Sequence, residues 1–148
     1  MNNTTKKTVL SAMFAAVIFA LTRIVSIPSF TSVGNVNLGD CAILLAAWLL
    51  PYKYSFLAAG IGSALADITS AYAIYAPATF IIKGAMAIVA GVIFNKATKS
   101  KSNIIHIALS GIIAEVVMIL GYFLFEGFFI CGFKTALLNI PFNGVQGT

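Results

Sequence analysis

Acidic residues are scarce in this chain: Asp40, Asp67, Glu115 and Glu126 are the four it has in 148 positions, and charged residues of both signs make up only 9%. With 60% hydrophobic residues and a mean hydropathy of +1.00, there is too little polar surface to clothe a soluble domain of this length. Histidine occurs once, at His106, with no carboxylate at catalytic spacing, and neither a Gly-rich phosphate loop nor a zinc-ligand cluster is present. No enzyme, catalytic residue, metal or cofactor is therefore expected. The two cysteines, Cys41 and Cys131, lack the spacing of a disulfide framework and read as small packing residues, although both fall toward the same face of the topology below and a bridge stays open. The net charge of +5 has no basic stripe with interleaved aromatics behind it, which excludes nucleic acid as a partner.

What the chain does have is apolar length. A helix crosses a hydrocarbon core of roughly 30 Å with about 20 mostly apolar residues. The apolar runs predict one all-α transmembrane domain over residues 1–148, with helices at about 8–27, 41–51, 54–68, 75–95 and 104–128. Pro141 suits the first turn of a sixth helix starting at about 141, which is expected to be cut short because the sequence stops at Thr148. Lys6 and Lys7 before the first run resemble the start of a secretory signal, but no small-residue cleavage site follows, so it reads as an uncleaved helix. Residues 28–40, rich in Ser, Thr, Gly and Asn, read as a loop.

Charge fixes the orientation. If the chain turns at Pro51, then Lys6, Lys7, Lys53, Lys96, Lys99 and Lys101 share one face, as the positive-inside rule expects of the cytoplasm, with Lys134 as the exception. The expectation is a multi-pass cell-membrane protein with a cytoplasmic N-terminus, whose natural surroundings are the lipid bilayer.

Ionisable groups inside a bilayer are expensive unless they pair or face a polar cavity, so each is a candidate for a site. Asp40, Asp67 and Glu126 fall toward the outer face, Lys83 some way below it, and Glu115 near the midplane, while the inner half of the predicted bundle has no charge. That arrangement argues against an ion path across the membrane and for a blind pocket open outward. Lys83 and Glu115 would lie at its floor, either as a buried pair or gripping opposite ends of a polar ligand. Tyr72, Tyr75 and Thr79 stand at the outer entry to the fourth helix, where tyrosines serve as interfacial anchors or as a wall for a flat ring. Asn143 and Gln146 would offer donors and acceptors from the sixth helix. Ala12, Ala16 and Ala20 give the first helix a narrow face on which another helix packs closely.

Several runs together resemble the substrate-binding S component of energy-coupling factor (ECF) vitamin transporters: Asn37-Leu38-Gly39-Asp40, Pro51-Tyr52-Lys53-Tyr54, the stretch 60–67 ending at Asp67, the stretch 75–84 from Tyr75 to Gly84, and 139–147 around Pro141 and Asn143. The riboflavin-type branch is the most similar. The resemblance implies a six-helix S-component bundle that binds a small vitamin or precursor at the outer face, of riboflavin, pyridoxine or hydroxymethylpyrimidine type. It implies as partners a transmembrane coupling subunit and two ATP-binding subunits, with Ala12 and Ala16 matching the alanine-spaced motif that touches the coupling subunit. The chain departs from the family pattern at its end, and Phe142 stands where many relatives have glycine. On the residues alone the competing functions are a small proton-coupled multidrug-type exporter or exchanger, with Glu115 as its proton-bearing carboxylate, and a structural assembly factor without a ligand.

Overall fold

A computed structural model describes residues 3–28, 35–97, 103–130 and 132–146; for 26–28, 35, 36, 97, 103, 104, 106, 139 and 142–146 it describes the backbone alone. Among the described residues are six α-helices: α1 (Asn3–Ile24), α2 (Gly39–Leu49), α3 (Tyr52–Ile68), α4 (Ala76–Ala97), α5 (Asn103–Phe125) and α6 (Phe133–Gln146). Three apolar stretches, Asn3–Ile24, Ala73–Lys96 and Ile107–Ile130, are long enough to cross a membrane. The fold is an all-α membrane bundle.

Its burial pattern inverts that of a soluble protein. The core is built largely from alanine, with Ala46, Ala47, Ala59, Ala87, Ala90 and Ala114 fully buried beside Ile18, Ile43, Met86 and Met118. Large side chains such as Met13, Leu57, Ile61, Ile81, Ile112 and Leu120 point outward, where lipid tails accept them at no hydrophobic cost. Small core residues let the helix backbones approach. A Cβ on Gly62 would stand 2.6 Å from the Ala15 carbonyl oxygen and 3.0 Å from Ile18 Cβ, and one on Gly60 would stand 2.8 Å from the Phe80 carbonyl oxygen. Those two glycines set the spacing of α3 against α1 on one side and α4 on the other.

The apolar run from Cys41 to Ala66 breaks at Leu50 and Pro51, both with extended backbone, so that α2 ends and α3 begins within two residues. At 11 residues, α2 is about 16 Å long, roughly half the hydrocarbon thickness, and so starts or stops inside the membrane. The expected loop at 28–40 carries a short antiparallel ribbon, β1 (Ser26–Pro28) with β2 (Asn35–Asn37), in which Ile27 faces Val36.

Two boundaries differ from expectation. A π-helical turn, Glu126–Ile130, follows α5 without a break. Gly132, at φ 77°, then reverses the chain, and α6 begins at Phe133, not at about 141. Pro141 lies inside α6, where it removes one backbone hydrogen bond instead of marking the first turn. The glycine supplies the turn, so the helix restarts as soon as the chain has reversed.

Candidate ligand-binding site

The helix order puts the exposed Lys6, Lys7, Lys53 and Lys96 at one end of the bundle, the lysine end, and the C-terminal ends of α1, α3 and α5 at the other. All four acidic residues belong to this second half, the acid end, and all are buried: Asp40, Asp67, Glu115 and Glu126.

Asp40 sits in the first turn of α2, where the helix dipole favours a carboxylate, and the Gly39 N–H beside it donates to Asn37 Oδ1 at 2.9 Å. Lys83, two turns into α4, pairs with Asp40 through Nζ and Oδ1, with both side chains almost fully enclosed. Of the two arrangements read from sequence for Lys83 and Glu115, the direct pair is thus replaced by one with Asp40. Because α2 is short, its N-terminus lies deep enough for the flexible lysine stem to reach it. Glu115 remains close enough to interact electrostatically with both Asp40 and Lys83. It is only 8% exposed, and its Oε2 has no hydrogen-bond partner among the described residues.

A second tier lies above this pair. Asp67, at the end of α3, lies within electrostatic reach of Thr79 of α4, whose hydroxyl is 3.0 Å from the Tyr122 hydroxyl of α5. The Tyr122 ring centroid is 5.7 Å from Lys83 Nζ, joining the tiers. Tyr75 is buried with its ring 6.5 Å from that of Tyr122 and 5.5 Å from that of Phe125, and Tyr72 meets it edge-on at 6.2 Å from a half-buried position nearer the rim. Along α5 and into the π turn that continues it, Glu115, Tyr122 and Glu126 are separated by seven and four residues and so share one face over about 16 Å.

Of the residues singled out from sequence, Asp40, Tyr75, Thr79, Lys83 and Glu115 therefore converge, with Tyr72 at their edge. Asn143 and Gln146 lie late in α6, not in its first turn, and their side chains are outside the described residues. The Asn143 backbone is ten residues in from Phe133, about 15 Å along α6 from the acid end. Sequence reasoning passed over Tyr122, although its two-turn spacing from Glu115 is a visible signal, and gave Asp67 no role. Arg23 is exposed at the end of α1. Cys41 carries a free, exposed thiol and is not a packing residue; Cys131 and the His106 side chain are outside the described residues. Among the described residues no three His, Cys, Asp or Glu side chains are placed to hold a metal ion.

Two apolar grooves lie away from this cluster. One, of about 690 Å³, runs between α1 and α3, with the exposed Ala12 and Ala16 on its wall beside Ser11, Phe19, Leu57 and Ile61. The other, of about 530 Å³, lies between α4 and α5 near Pro77, Ile81, Gly121 and Phe128.

Comparison with known proteins adds an independent line. A protein-family model described as the S component of the ECF-type riboflavin transporter matches residues 2–148. An uncharacterised protein in the gap 3′ region of Pyrococcus woesei is 39% identical over 101 residues, which are 68% of this chain and 65% of that one. The thiamine precursor transporter HmpT of Lactococcus lactis subsp. cremoris is 29% identical over 146 residues, which are 98% of this chain and 81% of the transporter.

Proposed function

The chain belongs to the family of S components of ECF-type riboflavin transporters, and from that membership we propose that it captures a small, flat vitamin or vitamin precursor at the external face for ATP-driven uptake by partner subunits. The observation that carries this reading is the gathering of every acidic residue, Lys83 and Tyr75, all buried, with the half-buried Tyr122 beside them, at the end of the bundle opposite the exposed lysines of α1, α3 and α4. A membrane protein buries such groups where a polar cargo will meet them. The lysine-bearing turns then face the cytoplasm, together with the N-terminus. Asp40, Thr79, Lys83 and Glu115 contact the ligand, Tyr75 and Tyr72 supply an aromatic wall and rim, and Asn143 and Gln146 complete the site from α6. Similarity to a thiamine precursor transporter supports a vitamin precursor among the substrates.

Ala12 and Ala16 form the surface for a transmembrane coupling subunit, which works with two ATP-binding subunits. The small residues and the groove beside them allow a partner helix to approach closely. Leucine at both positions is expected to leave ligand binding of the purified chain intact and to abolish assembly with the coupling subunit and ATP-dependent uptake by reconstituted vesicles. Uptake driven by a proton gradient alone, without partner subunits, would overturn the reading in favour of an exchanger.

A further inference from the structure

One lysine stands apart from the others on the surface. Lys134 is exposed in the first turn of α6, at the acid end, whereas the exposed Lys6, Lys7, Lys53 and Lys96 lie at the opposite end. All four acids of the chain are buried, so the charges that the described residues expose at the acid end are Arg23 and Lys134, both positive. No acidic side chain shares the first turn of α6, and none of the four acids is paired with Lys134. The lysine is also anchored beside an apolar groove. Phe133, the residue before it, lies so close to the π turn that a Cβ on Gly127 would stand 2.5 Å from its ring. That ring meets Phe128 edge-on at 5.0 Å and Phe123 at 5.6 Å. Phe128 in turn lines the groove of about 530 Å³ between α4 and α5.

We propose that this groove and Lys134 together bind one anionic phospholipid from the leaflet that the acid end meets, with an acyl chain in the groove and the phosphate on the Lys134 ammonium. The groove runs from Gly121 to Phe129, about 12 Å along α5 and the turn that continues it, close to half the hydrocarbon thickness. It thus has the depth of one leaflet. Its floor is at Gly121, where a Cβ would stand 2.9 Å from Ile82 Cγ1, and its walls are apolar from Pro77 and Ile81 to Leu124 and Phe128. An apolar slot with one cation at its mouth matches a hydrocarbon chain that ends in an anionic group, and the flexible lysine stem lets the ammonium settle at phosphate level. A second copy of this chain fits less well. Its acids are buried, so it has no carboxylate to set against Lys134. Nor does a coupling subunit seated on Ala12 and Ala16 cover the groove, because α1 packs on α2 and α3 whereas α5 packs on α4 and α6.

The test is native mass spectrometry of the full chain released from detergent micelles, titrated with phosphatidylglycerol and with phosphatidylcholine of the same acyl chains, whose choline supplies its own cation to the phosphate. One phosphatidylglycerol is expected to bind about fivefold tighter than phosphatidylcholine, the scale of one lysine at an anionic surface. Lys134→Gln is expected to bring that ratio below about twofold, while Arg23→Gln leaves it at the wild-type value. In parallel, phosphatidylglycerol with a diazirine on its acyl chain is photolysed with the wild-type protein in nanodiscs and the labelled peptides are identified. Labelling is expected to concentrate at 77–82 and 121–129. Equal affinity for the two lipids, a preference that survives Lys134→Gln, or one that is lost with Arg23→Gln overturns the proposal. So does labelling spread evenly round the bundle, which would mean ordinary boundary lipid, or a stable dimer that keeps lipid out of the groove, which would seat a second copy there.

Discussion

Toward the lysine end, Ser11 Oγ donates to the Tyr54 carbonyl at 2.9 Å, Ser55 Oγ to the Tyr52 carbonyl at 3.1 Å, and Ser110 Oγ to the Ile107 carbonyl at 2.8 Å while accepting from Trp48 Nε1. Toward the acid end, Thr22 Oγ1, Ser63 Oγ and Glu115 Oε2 are equally buried and have no partner among the described residues. In the first set the Ser11–Tyr54 and Trp48–Ser110 bonds fasten helix to helix, the Ser55 and Ser110 hydroxyls donate within their own helices, and every hydroxyl has its donor capacity used. The second leaves that capacity open, at a standing cost to the bundle. A fold keeps such a cost where something outside the chain supplies the missing bonds. On the function proposed above, the two ends divide the work, one holding the helices together and the other holding cargo.

The sharpest way to break this division is to remove the charge that steadies the acid end. Lys83→Met leaves Asp40 buried without its ammonium, beside Glu115 and Asp67, and the expected loss is about 3–5 kcal/mol of unfolding free energy. Unfolding followed in detergent measures it. Asp40→Leu combined with Lys83→Met is expected to recover more than half of the loss, since replacing a whole buried pair by apolar side chains is far cheaper than orphaning one member. Neither variant is expected to bind ligand. A single variant as stable as the wild type would mean that the pair does not organise this end.

A smaller effect is expected at the seam where the two ends share one backbone contact. Gly62 of α3 meets the Ala15 carbonyl and Ile18 so closely that a methyl group cannot enter without moving α1. Gly62→Ala should cost about 1–3 kcal/mol through overpacking. Because α1 carries Thr22 at the acid end as well as Ser11 toward the lysine end, both stability and ligand affinity should fall. A drop in stability alone would show that the site is insulated from the position of α1.

Much of this arrangement was legible before the structure. Apolar runs gave a membrane bundle of five helices and the start of a sixth, the resemblance to S components implied all six, and the rarity of charge made each buried acid conspicuous. The partner of Lys83 was not legible, because it depends on how deep α2 begins, and depth follows from an 11-residue helix length that hydropathy cannot resolve to a turn. The start of α6 was missed because Pro141 carries a helix-start signal that Gly132 pre-empts from a position with an unusual backbone. The ribbon at 26–28 and 35–37 lacks the alternation that marks a strand, so only chain reversal reveals it. Tyr122 could have been found by counting seven residues on from Glu115; its bond to Thr79 depends on the register between α4 and α5, which no local pattern encodes.

The smallest expected effect tests the lysine end by itself. Ser11→Ala deletes one interhelical hydrogen bond between α1 and the first turn of α3, leaving the Tyr54 carbonyl without the side-chain donor but still within a helix. Such bonds in membrane proteins contribute about 0.6 kcal/mol on average, so the variant should unfold only slightly more easily. Ligand affinity should not change, since the bond lies on the far side of the core from Glu115 and every neighbouring hydroxyl there keeps its own acceptor. A loss of affinity comparable to that from Gly62→Ala would instead make the two ends one cooperative unit, with the cargo site reading the packing of α1 along its whole length.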